Sequence, residues 1–117
     1  MNLKEKIEDL NQMILSGLQM DAFDKYYHED VVMQENSKPP TIGKTANRER
    51  EIQGMQMIDA FHGAEVKAVA VGENVTMVEW EMDVTYKGAP RMKICQVAVQ
   101  RWKDGQIINE RFYYSTS

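Results

Sequence analysis

The sequence is poor in the residues that staple or metallate small proteins. It holds one cysteine, Cys95, and two histidines, His28 and His62, among 117 residues. A lone thiol closes no internal disulfide, and this set is a poor one for zinc, so neither a disulfide scaffold nor a bound metal is expected. Basic charge is also short: 14 Lys and Arg against 18 Asp and Glu give a formal net charge of -4. That balance has no general attraction for phosphate backbones or anionic lipid, so nucleic acid is not an expected partner. No run reaches the ~18 consecutive apolar residues that cross a bilayer. The opening "MNLKEKIEDLNQ" lacks the basic-then-apolar pattern of a secretory leader. A cytoplasmic protein without membrane association is the expectation. No linker, repeat or low-complexity run divides the chain, and its length suits one domain over residues 1–117.

What is present is a change of period. Leu3, Ile7, Leu10, Ile14 and Leu18 fall on one helical face, and Asn2 with Glu5 makes a capping-box pattern. Gly17 lies near the end of this helix, and Asp21 is the expected N-cap of a short second one carrying Phe23, Tyr26 and Tyr27. A short strand over roughly 30–35 follows. Pro39 and Pro40 stop it, because neither can donate a ladder hydrogen bond. From about Lys44 a third helix is predicted, with Ile52, Met55, Ile58 and Phe61 at i+3 spacing and Gly63 as its stop. His28 and His62 would then end the second and third helices, where a cationic ring interacts favourably with the dipole.

Beyond Gly63 the pattern alternates with period two. "AEVKAVAVG", "NVTMVEWEMDVTY", "RMKICQVAVQRW" and "QIINERFYY" read as four strands. Asp104 and Gly105 suit a three-residue hairpin loop that pairs Trp102 with Gln106, Gln100 with Ile108 and Ala98 with Glu110. Helices first and an antiparallel meander second make an α+β layout with the helices on one face of the sheet.

The order of these parts, with "HEDVVMQEN", a double proline, "IGK" opening a helix and a last hairpin "RWKDGQIINERFYY", resembles the SnoaL-like branch of the nuclear transport factor 2-like superfamily. The resemblance spans nearly the whole chain and rests on marks of fold, not of catalysis. It implies a cone-shaped α+β barrel: three N-terminal helices packed in a curved antiparallel sheet around an apolar cavity. By likeness to the family's ketosteroid isomerases, even-numbered strand positions face inwards: Trp80, Met82 and Val84; Gln96, Ala98 and Gln100; Ile108, Glu110, Phe112 and Tyr114. The odd face would be the outer surface, where Cys95, Val97, Val99 and Tyr113 stand beside Glu79, Glu81, Asp83, Arg101 and Arg111. Valines among opposite charges suit a homodimer contact.

Glu110 is the candidate catalytic residue. A carboxylate facing inwards among Trp80, Phe112 and Tyr114 is desolvated, which raises its basicity towards the range useful for abstracting a carbon-bound proton. Gln34, Gln96 and Tyr114 would hydrogen-bond a carbonyl or a developing enolate. The competing reading is a glutamate at the edge of the core paired with Arg111 or a lysine. The isomerases that the early strand resembles carry a general-base aspartate five residues before the first of two prolines, and here that position is Gln34, which cannot act as a base. Their second aspartate falls near Ala98 and their tyrosine near Asn11 or Met13, so ordinary steroid isomerisation is not implied. Glu35, the next residue, would point away unless a bulge intervenes.

Nine methionines are present, and Met33, Met55, Met57, Met77, Met82 and Met92 fall near the expected interior or its lining. Adaptable thioethers around an apolar cavity tolerate flat ligands of more than one shape. Cys95 reads as a packed thiol. The expected pocket therefore comprises Met33, Gln34, Trp80, Met82, Gln96, Ala98, Phe112 and Tyr114, and its expected occupant is a small apolar or aromatic molecule. Isomerase, cyclase or dehydratase chemistry without a cofactor is one reading. The other is a non-enzymatic binding or interaction module whose cavity is filled by its own side chains.

Overall fold

The computed structural model describes residues 1–115. Helix α1 (Leu3–Leu15) starts at the expected capping box: the Asn2 carboxamide oxygen accepts from the Glu5 N–H at 2.9 Å, and Glu5 Oε1 accepts from the Asn2 N–H at 3.0 Å. Its apolar face delivers Ile7 and Leu10 to the core. Gly17, with φ of +80°, turns the chain into α2 (Gln19–Tyr26). The N-cap of α2 is Leu18, and Asp21 lies inside the first turn, where its charge still complements the dipole. Tyr27 and His28 are no longer helical; they open strand β1 (Tyr27–Glu35). Beyond the prolines, β2 (Thr41–Ile42) pairs back on β1, and α3 (Lys44–Gln56) follows.

Helix α3 ends well short of Gly63. Ile58, Phe61 and His62 belong instead to a long strand, β3 (Ile58–Gly72), and Phe61 is 56% exposed. The pairing of β3 with β4 (Val75–Tyr86) slips at Ile58/Ala60, Phe61/Gly63 and Val66/Ala68. Each slip inserts one residue and reverses the side-chain alternation, so the period-two signature is absent where the strand begins. Three bulges in one strand also bend and twist it, which curls that edge of the sheet over the helices.

Strands β5 (Met92–Lys103) and β6 (Gln106–Tyr114) complete a six-stranded sheet of order β2-β1-β6-β5-β4-β3. The sheet is mixed and not wholly antiparallel as the sequence suggests, since β1 runs parallel to β6. Helices and this curved sheet form the α+β cone expected from the family likeness. The last hairpin differs in register. Asp104 and Gly105 both have positive φ (53° and 79°), which makes a two-residue loop pairing Lys103 with Gln106. A bulge then inserts Ile108, so that Trp102 faces Ile107, Gln100 faces Glu110 and Ala98 faces Phe112. Ile107, not Ile108, enters the core. Upstream, the even positions of β4 and β5 face inwards as expected, with Val78, Trp80, Ala98 and Trp102 packed against Leu10, Phe23, Tyr26 and Met33.

Asn47 holds the helical layer to the early strand. Its side chain is wholly buried, and Nδ2 lies 3.2, 3.0 and 2.8 Å from the carbonyl oxygens of Val31, Thr41 and Gly43. Asn47→Ala is expected to cost roughly 2–3 kcal/mol in urea unfolding, because it leaves buried acceptors unpaired as well as removing bonds. A loss below about 0.5 kcal/mol, typical of an exposed position, would refute this anchoring role.

Candidate functional site

Four strands bring polar side chains to one buried line. Glu110 on β6 stands opposite Gln100 on β5, which stands opposite Thr76 on β4, and Tyr27 reaches in from β1. The indole Nε1–H of Trp102 donates to Thr76 Oγ1 at 2.9 Å, and that hydroxyl donates to Gln100 Oε1 at 2.7 Å. The Gln100 amide in turn donates to Glu110 Oε2 at 2.8 Å. The Tyr27 hydroxyl donates to Glu110 Oε1 at 2.5 Å. Every donor in the chain therefore points towards one carboxylate, as an ionised group requires.

Burial opposes that ionisation. Glu110 is 3% exposed, and desolvation raises its pKa from the usual 4.5 to about 7, against the opposing pull of the Tyr27 and Gln100 hydrogen bonds. Burial, and then the neighbouring Glu110 charge, push the Tyr27 phenol well above its ordinary value. The pairing with Arg111 or a lysine is not what forms. Arg111 instead donates from Nε to the Asn36 carbonyl oxygen at 3.0 Å and lies over the Tyr113 ring.

A cleft of about 520 Å³ opens nearer the end of the same inner face. Met82, Gln96 and Tyr114 line it, joined by Glu35, Tyr86, Met92 and Ile94. The other expected pocket residues lie elsewhere. Met33, Trp80 and Ala98 are sealed in the core, and Phe112 packs against it. Gln34 turns to the loop before the prolines, where its amide donates to the Lys38 carbonyl oxygen at 3.0 Å. Glu35 takes the inward place that Gln34 was expected to fill: its Oε1 accepts from the Tyr114 hydroxyl at 3.0 Å. Glu110 is not in the cleft lining; it lies four residues before Tyr114 on β6, about 13 Å deeper at the usual strand rise.

On the outer face Cys95 is exposed rather than packed. Met77 and Met57 also point outwards, at 43% and 54% exposure. Among the described residues, no group of three or more His, Cys, Asp or Glu is placed to hold a metal ion, and no helix is long and apolar enough to cross a membrane. Sequence reasoning missed Tyr27 and Gln100 as partners of the carboxylate, and Thr76 and Trp102 behind Gln100. The signal was the hairpin itself: read as a two-residue loop plus a bulge, it sets Gln100, not Ala98, opposite Glu110.

The raised pKa fixes a pH dependence. Folded Glu110 keeps its proton to about pH 7, whereas an unfolded glutamate loses it near 4.5, so the native state binds more protons in between. Stability must then fall as pH rises through that window, by roughly 3 kcal/mol in total. Urea midpoints measured across the window should show this decline in the parent protein and a much flatter profile in Glu110→Gln. Parallel profiles would mean that Glu110 does not titrate there.

The family model of the SnoaL-like domain matches residues 1–114. Among solved structures, a protein named as a SnoaL-like polyketide cyclase from Mesorhizobium loti is 28% identical, with a TM-score of 0.87 over 97% of this chain and 100% of that one. A second protein so named, from a Jannaschia species, is 13% identical with a TM-score of 0.84, covering 96% and 86% of the two chains. An NTF2-like protein of unknown function from Burkholderia pseudomallei is 10% identical with a TM-score of 0.84, covering 97% and 90%. Among curated proteins no relative was found. With a match over nearly its whole length and the helix-filled cone to go with it, the chain belongs to the SnoaL-like domain family.

Proposed function

We propose that the protein binds a small, largely apolar molecule in the cleft at the mouth of the cone. The observation that carries this reading is the cleft itself. Its ~520 Å³ lies within the range of ligand sites. Met82, Met92 and Ile94 supply apolar wall, Tyr86 and Tyr114 supply aromatic faces, and Gln96 and Glu35 add polar groups that would orient a ligand. The deep half of the cone is filled by Met33, Trp80 and Ala98, so the ligand sits above the core and not within it. The site would belong to a cytoplasmic homodimer joined through the outer sheet face, where Val97 and Val99 are half-buried, Tyr113 is exposed and opposite charges flank them.

A second reading, an isomerase, cyclase or dehydratase working without a cofactor, is favoured by one feature. Glu110 has its pKa raised to about 7 on the same strand face as Tyr114, and acid–base chemistry there requires a substrate group to reach it below the cleft. In that reading Tyr27 and Gln100 hold the carboxylate in place and stabilise its charged form. Similarity to a protein named as a polyketide cyclase agrees with this class of reaction.

Titration with the neutral dye Nile red tests the binding reading. Saturable emission is expected with the parent protein and at least tenfold weaker binding with Ile94→Trp, which fills the cleft. Equal binding by both, or no saturation by either, would remove the cleft as the ligand site. Sedimentation velocity should give a dimer that Val97→Asp disperses, and a monomeric parent would end the outer-face proposal. For any turnover found, Glu110→Gln should lower kcat by about 10²-fold or more if the second reading holds; unchanged turnover would leave binding alone.

A further inference from the structure

We propose that the cleft selects an organic cation: an amine whose ammonium pairs with Glu35 and whose apolar body lies against the thioethers and aromatic rings. The proposal rests on the ligand-binding reading of the same cleft and adds the charge class of the occupant. It starts from an imbalance among the charges at the mouth. Glu35 Oε1 accepts from the Tyr114 hydroxyl, while Oε2 has Arg50 as its ion-pair partner only at 3.7 Å, beyond a hydrogen bond. Arg50 is occupied elsewhere: it donates to Glu51 Oε1 at 3.0 Å, to Asn47 Oδ1 at 3.3 Å and to the Met33 sulfur at 3.5 Å. One guanidinium thus stands between two carboxylates, and Glu35 faces the cleft 42% exposed, with its second oxygen underused.

The other cation at the cleft does not correct the imbalance. Lys93 lies at the rim, but its position is an outward one, and its Nζ pairs with Glu81 on the outer face at 3.4 Å. The remaining lining suits a cation rather than an anion or a neutral carbonyl compound. Tyr86 and Tyr114 line the cleft with aromatic rings, whose faces carry negative potential, and Met82 and Met92 add polarizable sulfur. An ammonium N–H would complete the hydrogen bonding of Glu35 Oε2, and displaced water would leave the rings to share the charge. An anionic ligand would meet a carboxylate that shares its one guanidinium with Glu51, and would be repelled.

The test compares phenethylamine with 2-phenylethanol, a neutral molecule of the same shape, by following backbone amide shifts of Gln96 and Tyr114 at neutral pH and low salt. The amine is expected to bind with a Kd about tenfold below that of the alcohol. Glu35→Gln keeps an acceptor for the Tyr114 hydroxyl but removes the charge, so it should weaken the amine far more than the alcohol and erase the tenfold preference. Added salt should weaken the amine alone. Equal affinity of the two compounds for the parent protein overturns the cation proposal and leaves the cleft as a ligand site. A preference that survives in Glu35→Gln overturns the assignment to Glu35. If neither compound moves the cleft amides, the binding reading fails and the cation proposal fails with it.

Discussion

Burial of one carboxylate organises the sheet. An ionisable group with 3% exposure is tolerated only if its oxygens are satisfied, and Glu110 draws those partners from neighbouring strands on both sides. Tyr27 comes from the parallel neighbour β1 and Gln100 from the antiparallel neighbour β5, with Thr76 of β4 and Trp102 behind Gln100. A slip of one residue in any of these pairings would turn a donor to the other face and strand the acid. The line is thus a register lock as well as a proton-binding group. Burial that favours the acid outweighs the donors that favour the anion, which is why the pKa is raised to about 7.

Depth divides the cone by chemistry. Where the helices meet the sheet, Ile7, Leu10, Phe23, Met33, Trp80 and Ile107 close the interior completely, and among the described residues no buried side-chain polar atom lacks a partner. Further along β4, β5 and β6 the helical cover thins and the same inner face lines an open cleft. The cleft lining therefore comes from one end of strands whose other parts build the core. The link between the two regions is β6, which carries Tyr114 at the mouth, Phe112 against the core and Glu110 at depth on one face. Asn36 fixes the end of that strand: its N–H donates to the Phe112 carbonyl oxygen at 2.7 Å, and its side chain accepts from the Tyr114 N–H at 3.0 Å. The loop before the prolines thereby sets where the Glu35–Tyr114 pair sits.

The outer face obeys a different constraint. Met77, Cys95 and Tyr113 are exposed there beside half-buried Val97 and Val99, on a sheet that water reaches from that side. Single exposed apolar groups are ordinary, but several on one curved face form the kind of surface that homodimers cover. Ion pairs such as Lys93–Glu81 and Arg91–Asp83, at 3.4 and 2.8 Å, are set in the same face.

Local chemistry made much of this legible. The capping box, the Leu3 to Ile14 stripe, the proline stop and the alternation of β4 and β5 report short-range physics, and each places its element correctly. Alternation, oriented by the family likeness, made Trp80, Ala98, Gln100 and Glu110 inward residues before any coordinates, and that placement singled out the isolated acid among aromatic neighbours. Three things needed the tertiary structure. The start of β3 was hidden because its bulges cancel the alternation and leave an i+3 spacing that mimics a helix. The two-residue loop and the Ile108 bulge together changed the partner of Glu110 from Ala98 to Gln100, and a bulge is chosen by packing across strands and not by the residues of the loop. The place of the cleft was decided last, because a void depends on how far each helix runs along the sheet, and no residue encodes that distance by itself.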